Sequence, residues 1–573
     1  MTQLAPAPTP TPPLASLQRL RLREHHIFLV LSVVVGIAAG LAAVLFSLAI
    51  ERADYLLFGS VPSSFRLVLV PVVVSLASGV LFSRVFTQVR GSGVPQTKAA
   101  FHLENGLIPF RVPVGKFLTG VMCIGAGHSM GREGPSVQIG AGLASAIGQW
   151  LRLSPVRIKA LVPIGAAGAL AAAFNTPIAA VLFALEELIG DLNATLLGST
   201  VLASVASVVV ERAILGNEPL FHVPAYHLVH PAELAGYAIL GVAGGIVSLL
   251  FCKSLLNLRR AFTRLPRWSI LVQPALGGLI IGAMLLVVPE VKGVGYEYVD
   301  QALNGGLLPR TLLLLGIAKL VATVVSYCSG NAGGIFAPSL FIGAMTGGAI
   351  GTLVQYFAPF PAGEPGAYAL VGMGTLFAGI IRAPMTSVFM IFEITQDYQI
   401  LVPLMVANLL SFTISRRYQP VPVYDALLRQ DGVHLPHPLT RATPPISAAA
   451  IMDDQVTCFD PLTTAEKAWN QLREENHVAG LVGHRDRLAG LVTSARLRAA
   501  IDADRASEAV VNFMEDDFTH VHPDHPLEVV LDRLANGPGL LPVIARNNTT
   551  RVEGTISFDT VARLARKPHR DDP

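Results

Sequence analysis

Gly131-Arg132-Glu133-Gly134-Pro135 places a carboxylate and a guanidinium in a stretch that is otherwise almost uncharged. From Val112 to Ile147 the only full charges are Lys116, Arg132 and Glu133. Ionisable groups at membrane depth are costly and mark functional positions. Glycine on both sides of the charges, followed by proline, describes the first turn of a helix. A helix start carries unpaired N–H groups and a partial positive charge, which together attract an anion. Glu133 can fill such a site itself, as an anion tethered to the chain. A second acidic pair, Glu186 and Glu187, lies in the apolar run Phe183–Leu188. Consecutive helix residues point about 100° apart, so these two carboxylates cannot share one face.

The elements that must position these groups are membrane-type. The chain has 573 residues, 52% of them hydrophobic and 14% charged, where soluble domains run at about a quarter charged. Uncharged runs long enough to span a bilayer include Ile27–Ile50, Leu234–Cys252 and Ile270–Val288. The 52 glycines and 40 prolines break many other segments, a pattern of transporter folds with sites at the bilayer midplane. A net charge of +3 gives no argument for nucleic acid. Cys123, Cys252, Cys328 and Cys458 have no paired spacing, so neither a disulfide framework nor a metal site is indicated. No nucleophile–base pair speaks for an enzyme. The first apolar run begins late and lacks a small-residue cleavage site, so it reads as a retained span. Arg19, Arg21 and Arg23 precede it and place the N-terminus in the cytoplasm. Residues 1–26 read as a disordered, basic tail.

The membrane part repeats itself. Gly134-Pro135-Ser136-Val137-Gln138-Ile139-Gly140-Ala141 is echoed by Ala337-Pro338-Ser339-Leu340-Phe341-Ile342-Gly343-Ala344. Pro177, Val181 and Glu186 are echoed by Pro384, Val388 and Glu393. Two echoes in the same order, at nearly the same spacing, imply duplicated halves, about 27–215 and 233–418. After Arg416-Arg417 the chain becomes charged. Residues 419–445, Tyr424 included, are Pro-rich and read as a linker. Beyond it Met452, Asp454, Thr457, Pro461 and Glu466 recur as Met514, Asp516, Thr519, Pro523 and Glu528. Two small α/β units, 446–505 and 506–573, follow from that, with strands at Ala479–Val482, Leu488–Thr493, Leu541–Ala545 and Val552–Ser557.

With Gly91-Ser92-Gly93-Val94-Pro95, Gly131-Arg132-Glu133-Gly134-Pro135, Gly334-Ile335-Phe336-Ala337-Pro338 and Tyr424 in order, residues 27–430 resemble the CLC family of chloride channels and chloride/proton antiporters. The tail resembles a tandem CBS pair. The resemblance implies a fold of tilted, broken helices in two inverted halves, a homodimer with one pore per subunit, and chloride and protons as the transported ions. It implies Ser92 and Tyr424 hydroxyls and Ile335 and Phe336 N–H groups at a central anion site. It frames an outer anion site with backbone at Arg132 and Gly134, makes Glu133 the gate and external proton carrier, and makes Glu187 the internal proton-transfer group. An acid at Glu187 separates antiporter from the alternative, a voltage- or pH-gated chloride channel of the same fold. A further alternative, a regulatory sensor whose working part is the CBS pair, sits poorly with intact anion motifs. The expected location is a bacterial inner membrane, with both termini cytoplasmic and the lipid bilayer as surroundings.

Other polar residues in the apolar part are read more plainly. Lys116 either raises the anion potential or snorkels to an interface. Arg132 is expected to anchor its loop through carbonyls. His128 is expected as a polar residue near the outer mouth, and Glu186 as structural or as a rim charge. Gln96 and Lys98 stand where many family members carry acids. No cofactor is expected. An adenine nucleotide at the CBS pair is not favoured, because Gly490 and Thr493 are followed by Arg496, and Gly554 and Ser557 by Thr560, with Asp559 one residue early.

Overall fold

The computed structural model describes residues 14–566 except 191–195, 218–219, 222, 225, 227–228, 360, 362, 436–446, 455, 476, 547 and 549. It divides into two compact units, Met1–Leu435 and Pro436–Pro573. Residues 1–13 of the expected basic tail and 436–445 of the expected linker lie outside the described residues.

The first unit is helical. Its first half contains α1 (Leu14–Phe58), α2 (Ser64–Arg84), α3 (Val94–Leu103), α4 (Arg111–Gly125), α5 (Glu133–Trp150), α6 (Pro155–Phe174), α7 (Pro177–Phe183) and α8 (Leu197–Leu215). Its second half contains α9 (Glu233–Thr263), α10 (Gln273–Val287), α11 (Tyr296–Leu303), α12 (Pro309–Cys328), α13 (Phe336–Phe357), α14 (Pro365–Ile380), α15 (Pro384–Thr395) and α16 (Leu401–Tyr418). A last helix, α17 (Val423–Gln430), carries Tyr424. The stretch read as a linker thus starts as part of the membrane unit: Val423, Tyr424, Leu427 and Leu428 are buried, and α17 packs on α3 and α9. Likewise α1 already runs from Leu14, through the basic stretch read as disordered.

Among the described residues seven helices are long and apolar enough to cross a membrane, while α10, α14 and α15 are apolar but shorter. The run Ile270–Val288 is one of these broken segments. A 3₁₀ turn over Arg267–Leu271 precedes α10, which starts at Gln273-Pro274 because proline fits a helix start but not its interior.

The halves pack alike. α5 lies on α6 as α13 lies on α14, and α1 on α8 as α9 on α16. Small residues make this closeness possible. A Cβ on Gly140 would collide with the Gly165 carbonyl, and one on Gly343 with the Gly372 carbonyl. The mates α5 and α13 meet head to head: Gly131 and Gly334 exchange N–H···O=C bonds of 2.8 Å in each direction. The repeat is therefore inverted.

The second unit contains α18 (Ala448–Ile451), β1 (Cys458–Phe459), α19 (Ala465–Glu474), β2 (Ala479–His484), β3 (Arg487–Thr493), α20 (Ser494–Asp502), α21 (Leu527–Ala535), β4 (Leu540–Ile544), β5 (Val552–Ser557) and α22 (Phe558–Arg566). β1 pairs parallel with β2, β2 antiparallel with β3, and β4 antiparallel with β5. The strands do not show the alternation expected of them: β2 is buried from Ala479 to Gly483 and β4 from Leu541 to Ile544, as in strands covered on both faces. Each lead segment crosses to the other subdomain: Asp453 pairs with Thr555 on β5, and Glu515 with Leu491 on β3.

Candidate functional site

Three helix starts converge in the first unit. α3 begins after Gly91-Ser92-Gly93, α5 at Glu133, and α13 at Phe336. Their lead loops are bonded to one another. Besides the Gly131–Gly334 pair, the Gly333 N–H donates to the Gly91 carbonyl at 3.1 Å. The first N–H groups of each helix have no preceding turn to bond to, so three sets of donors and three positive dipole ends face one region. Contact is close enough that a Cβ on Gly134 would stand 2.5 Å from Ser92 Oγ and 2.8 Å from the Ser92 carbonyl oxygen. Gly93, at φ +101°, makes the turn into α3 that a side chain would oppose. Gln96 holds this turn: its Oε1 accepts from the Gly93 N–H at 3.0 Å and its Nε2 donates to the Arg90 carbonyl at 3.1 Å.

Ser92 and Tyr424 are wholly buried, and their hydroxyls face one another. Among the described residues neither oxygen makes a well-formed hydrogen bond. Buried hydroxyls are nearly always paired, so two neighbouring ones without a well-formed bond are a feature to explain. Ile335 precedes α13 and Phe336 opens it. The Phe336 ring is held by Phe174, Phe183 and Phe377, with centroids 4.9, 5.8 and 4.4 Å away.

Glu133 is the first residue of α5 and is fully buried. Pro135 stands third in the helix. Tyr296, at the start of α11, donates its phenolic O–H to Glu133 Oε1. Among the described residues Oε2 is buried without a hydrogen-bond partner. Among the described residues Arg132 does not bind loop carbonyls as expected. Its guanidinium lies 5.6 Å over the Tyr296 ring, and Nη1 is 3.9 Å from Glu51 Oε1.

Glu187 lies apart from Glu133 in the chain, on a π-helical turn, Ala184–Ile189, that continues α7. Such turns widen the helix and frequently mark functional positions. Glu187 is buried, and its Oε1 accepts from Lys98 Nζ at 3.0 Å. Lys98 also reaches Asp425 Oδ1 at 2.7 Å. The departure at Lys98 is therefore an acid–lysine–acid triad, buried at Glu187 and Lys98 and half-buried at Asp425, that links α3, the π turn and α17. Glu186 points elsewhere. It accepts from the N–H groups of Met385 and Thr386 at 3.3 and 2.9 Å, which is a structural role.

Two readings of polar residues change. Lys116 does not snorkel to an interface. It is wholly buried, and its Nζ donates to the carbonyls of Val89 (2.9 Å) and Gly91 (2.6 Å), bracing the Ser92 loop. His128, expected as a polar residue near the outer mouth, lies among packed helices. It is fully buried, with Nε2 2.6 Å from Ser75 Oγ and Nδ1 3.3 Å from Ser326 Oγ. The surrounding apolar elements are long enough to bury both residues, which a charge count along the chain does not reveal.

Sequence reading missed Tyr296, Asp425 and the role of Lys98. The signal for Tyr296 was present: Gly293-Val294-Gly295 before it matches Gly91-Ser92-Gly93 if the repeat is extended toward the N-terminus. A cavity of about 480 Å³ adjoins the Ser92 loop, lined in part by Arg90, Gly91, Gln96, Arg259, Tyr327 and Asp431.

In the second unit a cleft of about 370 Å³ is lined by Asp453, Thr457, His477, Ser557, Asp559 and Arg563, among others. Thr560 turns back on its own helix start, its Oγ1 accepting from the Ser557 N–H at 2.6 Å. Asp453 and Arg563 approach to 3.6 Å.

The family described as voltage gated chloride channel matches residues 73–416. The CBS domain matches residues 448–503 and 509–567. The chain belongs to the voltage gated chloride channel family and is a multi-pass membrane protein with tandem CBS domains. It is similar to the H(+)/Cl(-) exchange transporter ClcA of Vibrio cholerae, 33% identical over 421 residues, which cover 70% of this chain and 89% of that protein. Among solved structures it is similar to a slow cyanobacterial Cl-/H+ antiporter, with 28% identity and a TM-score of 0.64 over 70% of this chain and 97% of that one. It shares the fold of a eukaryotic CLC transporter at 21% identity and a TM-score of 0.61, covering 94% of this chain and 98% of that one.

Proposed function

We propose that the chain exchanges chloride for protons across a membrane. The observation that carries this reading is the convergence of three helix starts on two buried, unpaired hydroxyls, next to a buried glutamate. Bare burial of a chloride ion in low dielectric costs on the order of tens of kcal/mol. A full positive charge would hold it too tightly for turnover. Helix N-termini and hydroxyls are strong enough to bind and weak enough to release. In this reading Ser92 and Tyr424 hydroxyls and the N–H groups of Ile335 and Phe336 hold a central anion, and backbone at Arg132 and Gly134 frames an outer one. Glu133 closes the outer site when ionised and opens it when protonated. Glu187 passes protons from the inner side, while chloride enters by the cavity beside Gly91. The similarity to proteins named as exchange transporters supports the same reading.

A passive channel is the second reading, and one observation favours it. Glu187 is clamped by Lys98, and an ionised, paired acid is a poor proton carrier.

The working form is proposed as a homodimer in a bacterial inner membrane with cytoplasmic termini and no enzymatic activity. Residues 446–505 and 506–573 are proposed as the CBS domains, with a bracing role. Adenine nucleotide is not favoured there, because Thr560 is engaged with Ser557 where the ribose acid is expected.

Reversal potential in liposomes under crossed chloride and proton gradients tests the reading. A potential that follows both gradients is expected, and one that follows chloride alone selects the channel. Glu133→Gln is expected to keep chloride flux and lose proton pumping; uphill pumping by that variant sinks the gate assignment.

A further inference from the structure

We infer that Tyr296 is the latch of the Glu133 gate: its phenol holds the ionised carboxylate in the closed position and lets go when the gate opens. This rests on the reading of Glu133 as the gate. The Tyr296 hydroxyl donates to Glu133 Oε1, and Oε2 has no partner among the described residues. The phenol is thus the side-chain donor that fixes this buried carboxylate. A hydrogen bond donated to an ionised carboxylate is stronger than one donated to the neutral acid, so the contact favours the closed, charged form.

The placement is built into the duplication. Lys116 Nζ donates to the carbonyls of Val89 and Gly91. Lys319, also wholly buried, donates to those of Val291 (3.1 Å) and Gly293 (2.7 Å). Each braced loop ends on a positive-φ glycine, Gly93 at +101° and Gly295 at +81°, and then opens a short helix. The first half delivers the Ser92 hydroxyl from its loop, and the second half delivers the Tyr296 hydroxyl just after its loop. The Tyr296 ring is fixed edge-on by Phe221, centroids 5.3 Å apart, and under the Arg132 guanidinium. The charged and titratable groups around Glu133 are Tyr296 on α11, Arg132 just before α5 and Tyr424 on α17, with Glu51 on α1 and Glu211 on α8 acting through Arg132.

Chloride efflux from liposomes carrying the full chain is measured against pH for the unchanged protein, Y296F, E133Q and Y296F/E133Q. For Y296F, flux at neutral pH should rise several-fold, and the fall of flux with rising pH should set in about one pH unit higher, the worth of one ordinary hydrogen bond to a charged group. In the E133Q background Y296F should change nothing, because no carboxylate remains to be held. If phenylalanine disturbs α11, 3-fluorotyrosine at position 296 keeps the shape and donates more strongly, and it should move the profile to the acid side. Unmoved profiles for the variants that fold, or an equal effect of Y296F in the E133Q background, overturn the latch. An E133Q profile identical to that of the unchanged protein overturns the gate reading instead.

Discussion

Glu186 and Glu393 each cap the helix that leads to the other. Glu186, at the end of the α7 segment, accepts from the first N–H groups of α15, at Met385 and Thr386. Glu393, near the end of α15, accepts from the first N–H groups of α7, at Ile178 (2.9 Å) and Ala179 (2.7 Å). Each carboxylate satisfies orphan donors and meets the positive end of a dipole. The exchange requires α7 and α15 to run antiparallel, so the inversion of the two halves is visible in one pair of side chains. The repeated glutamates are there for the fold, and this leaves Glu187 free of that duty.

Removing either cap should therefore weaken the fold by a similar amount and spare transport. Glu186→Ala and Glu393→Ala should each cost about 1–2 kcal/mol. Thermal unfolding in detergent should show both losses, and proton pumping per folded protein should stay within about two-fold. A selective loss of pumping in Glu186→Ala would make Glu186 part of the proton path.

Gly134 is tested by adding one carbon. Its Cβ would enter the space of Ser92 Oγ and the Ser92 carbonyl, with the Gly334 Cα at 3.1 Å behind. Backbone lies on two sides, so relief by side-chain rotation is incomplete. Gly134→Ala should destabilise by about 1–3 kcal/mol. It should also weaken chloride binding, measured by calorimetry on the purified protein, because the Ser92 hydroxyl is displaced. Unchanged affinity would place the anion away from Ser92.

The two buried lysines should separate in their effects. Lys116→Met strips the carbonyls of Val89 and Gly91 of a charged donor, so the Ser92 loop loosens and chloride affinity should fall. Lys319→Met does the same to Val291 and Gly293, so the loop before Tyr296 loosens and the pH profile of flux should move instead. Each variant leaves two buried carbonyls without that donor, a cost of about 1–3 kcal/mol. Identical phenotypes would mean the lysines serve stability alone.

Much of this was legible in the sequence because it is carried by local chemistry. Gly131–Pro135 announces a helix start through the conformational demands of glycine and proline, and α5 begins at Glu133. The strands of the second unit are short apolar runs bounded by turn residues, and such runs survive in sequence even where both faces are buried. What was not legible depends on who meets whom. Lys98 and Glu187 are joined only by the packing of α3 against the π turn, and the run of residues around each gives no sign of the other. Lys116 and His128 look like interface residues by charge alone, yet their partners come from distant loops and helices. Tyr424 sat in a proline-rich stretch whose composition hides the eight residues of α17 and their burial. Composition averages over the amphipathic turn, while burial is set by α3 and α9 beneath it.

In the proposed antiport the Lys98 triad bears directly on Glu187, and Lys98 is the place to test it. Lys98 stands between two carboxylates, 3.0 Å from Glu187 and 2.7 Å from Asp425, in a largely buried setting. Removing the lysine alone leaves two acids without their cation. Breaking a buried pair in this way costs about 3–5 kcal/mol, unless one acid takes up a proton. Lys98→Met should therefore be destabilised, and Lys98→Met with Asp425→Asn should regain most of the loss, because a single acid then remains. In that double variant Glu187 is no longer clamped, and protons moved per chloride should rise or hold. Glu187→Gln, by contrast, should stop proton movement while chloride runs passively. The measurement is proton uptake driven by a chloride gradient, set against chloride efflux from the same liposomes. If Glu187→Gln pumps protons as the unchanged protein does, the inner proton route passes elsewhere. If the unchanged protein pumps none and the double variant begins to, Lys98 is what makes this chain a channel.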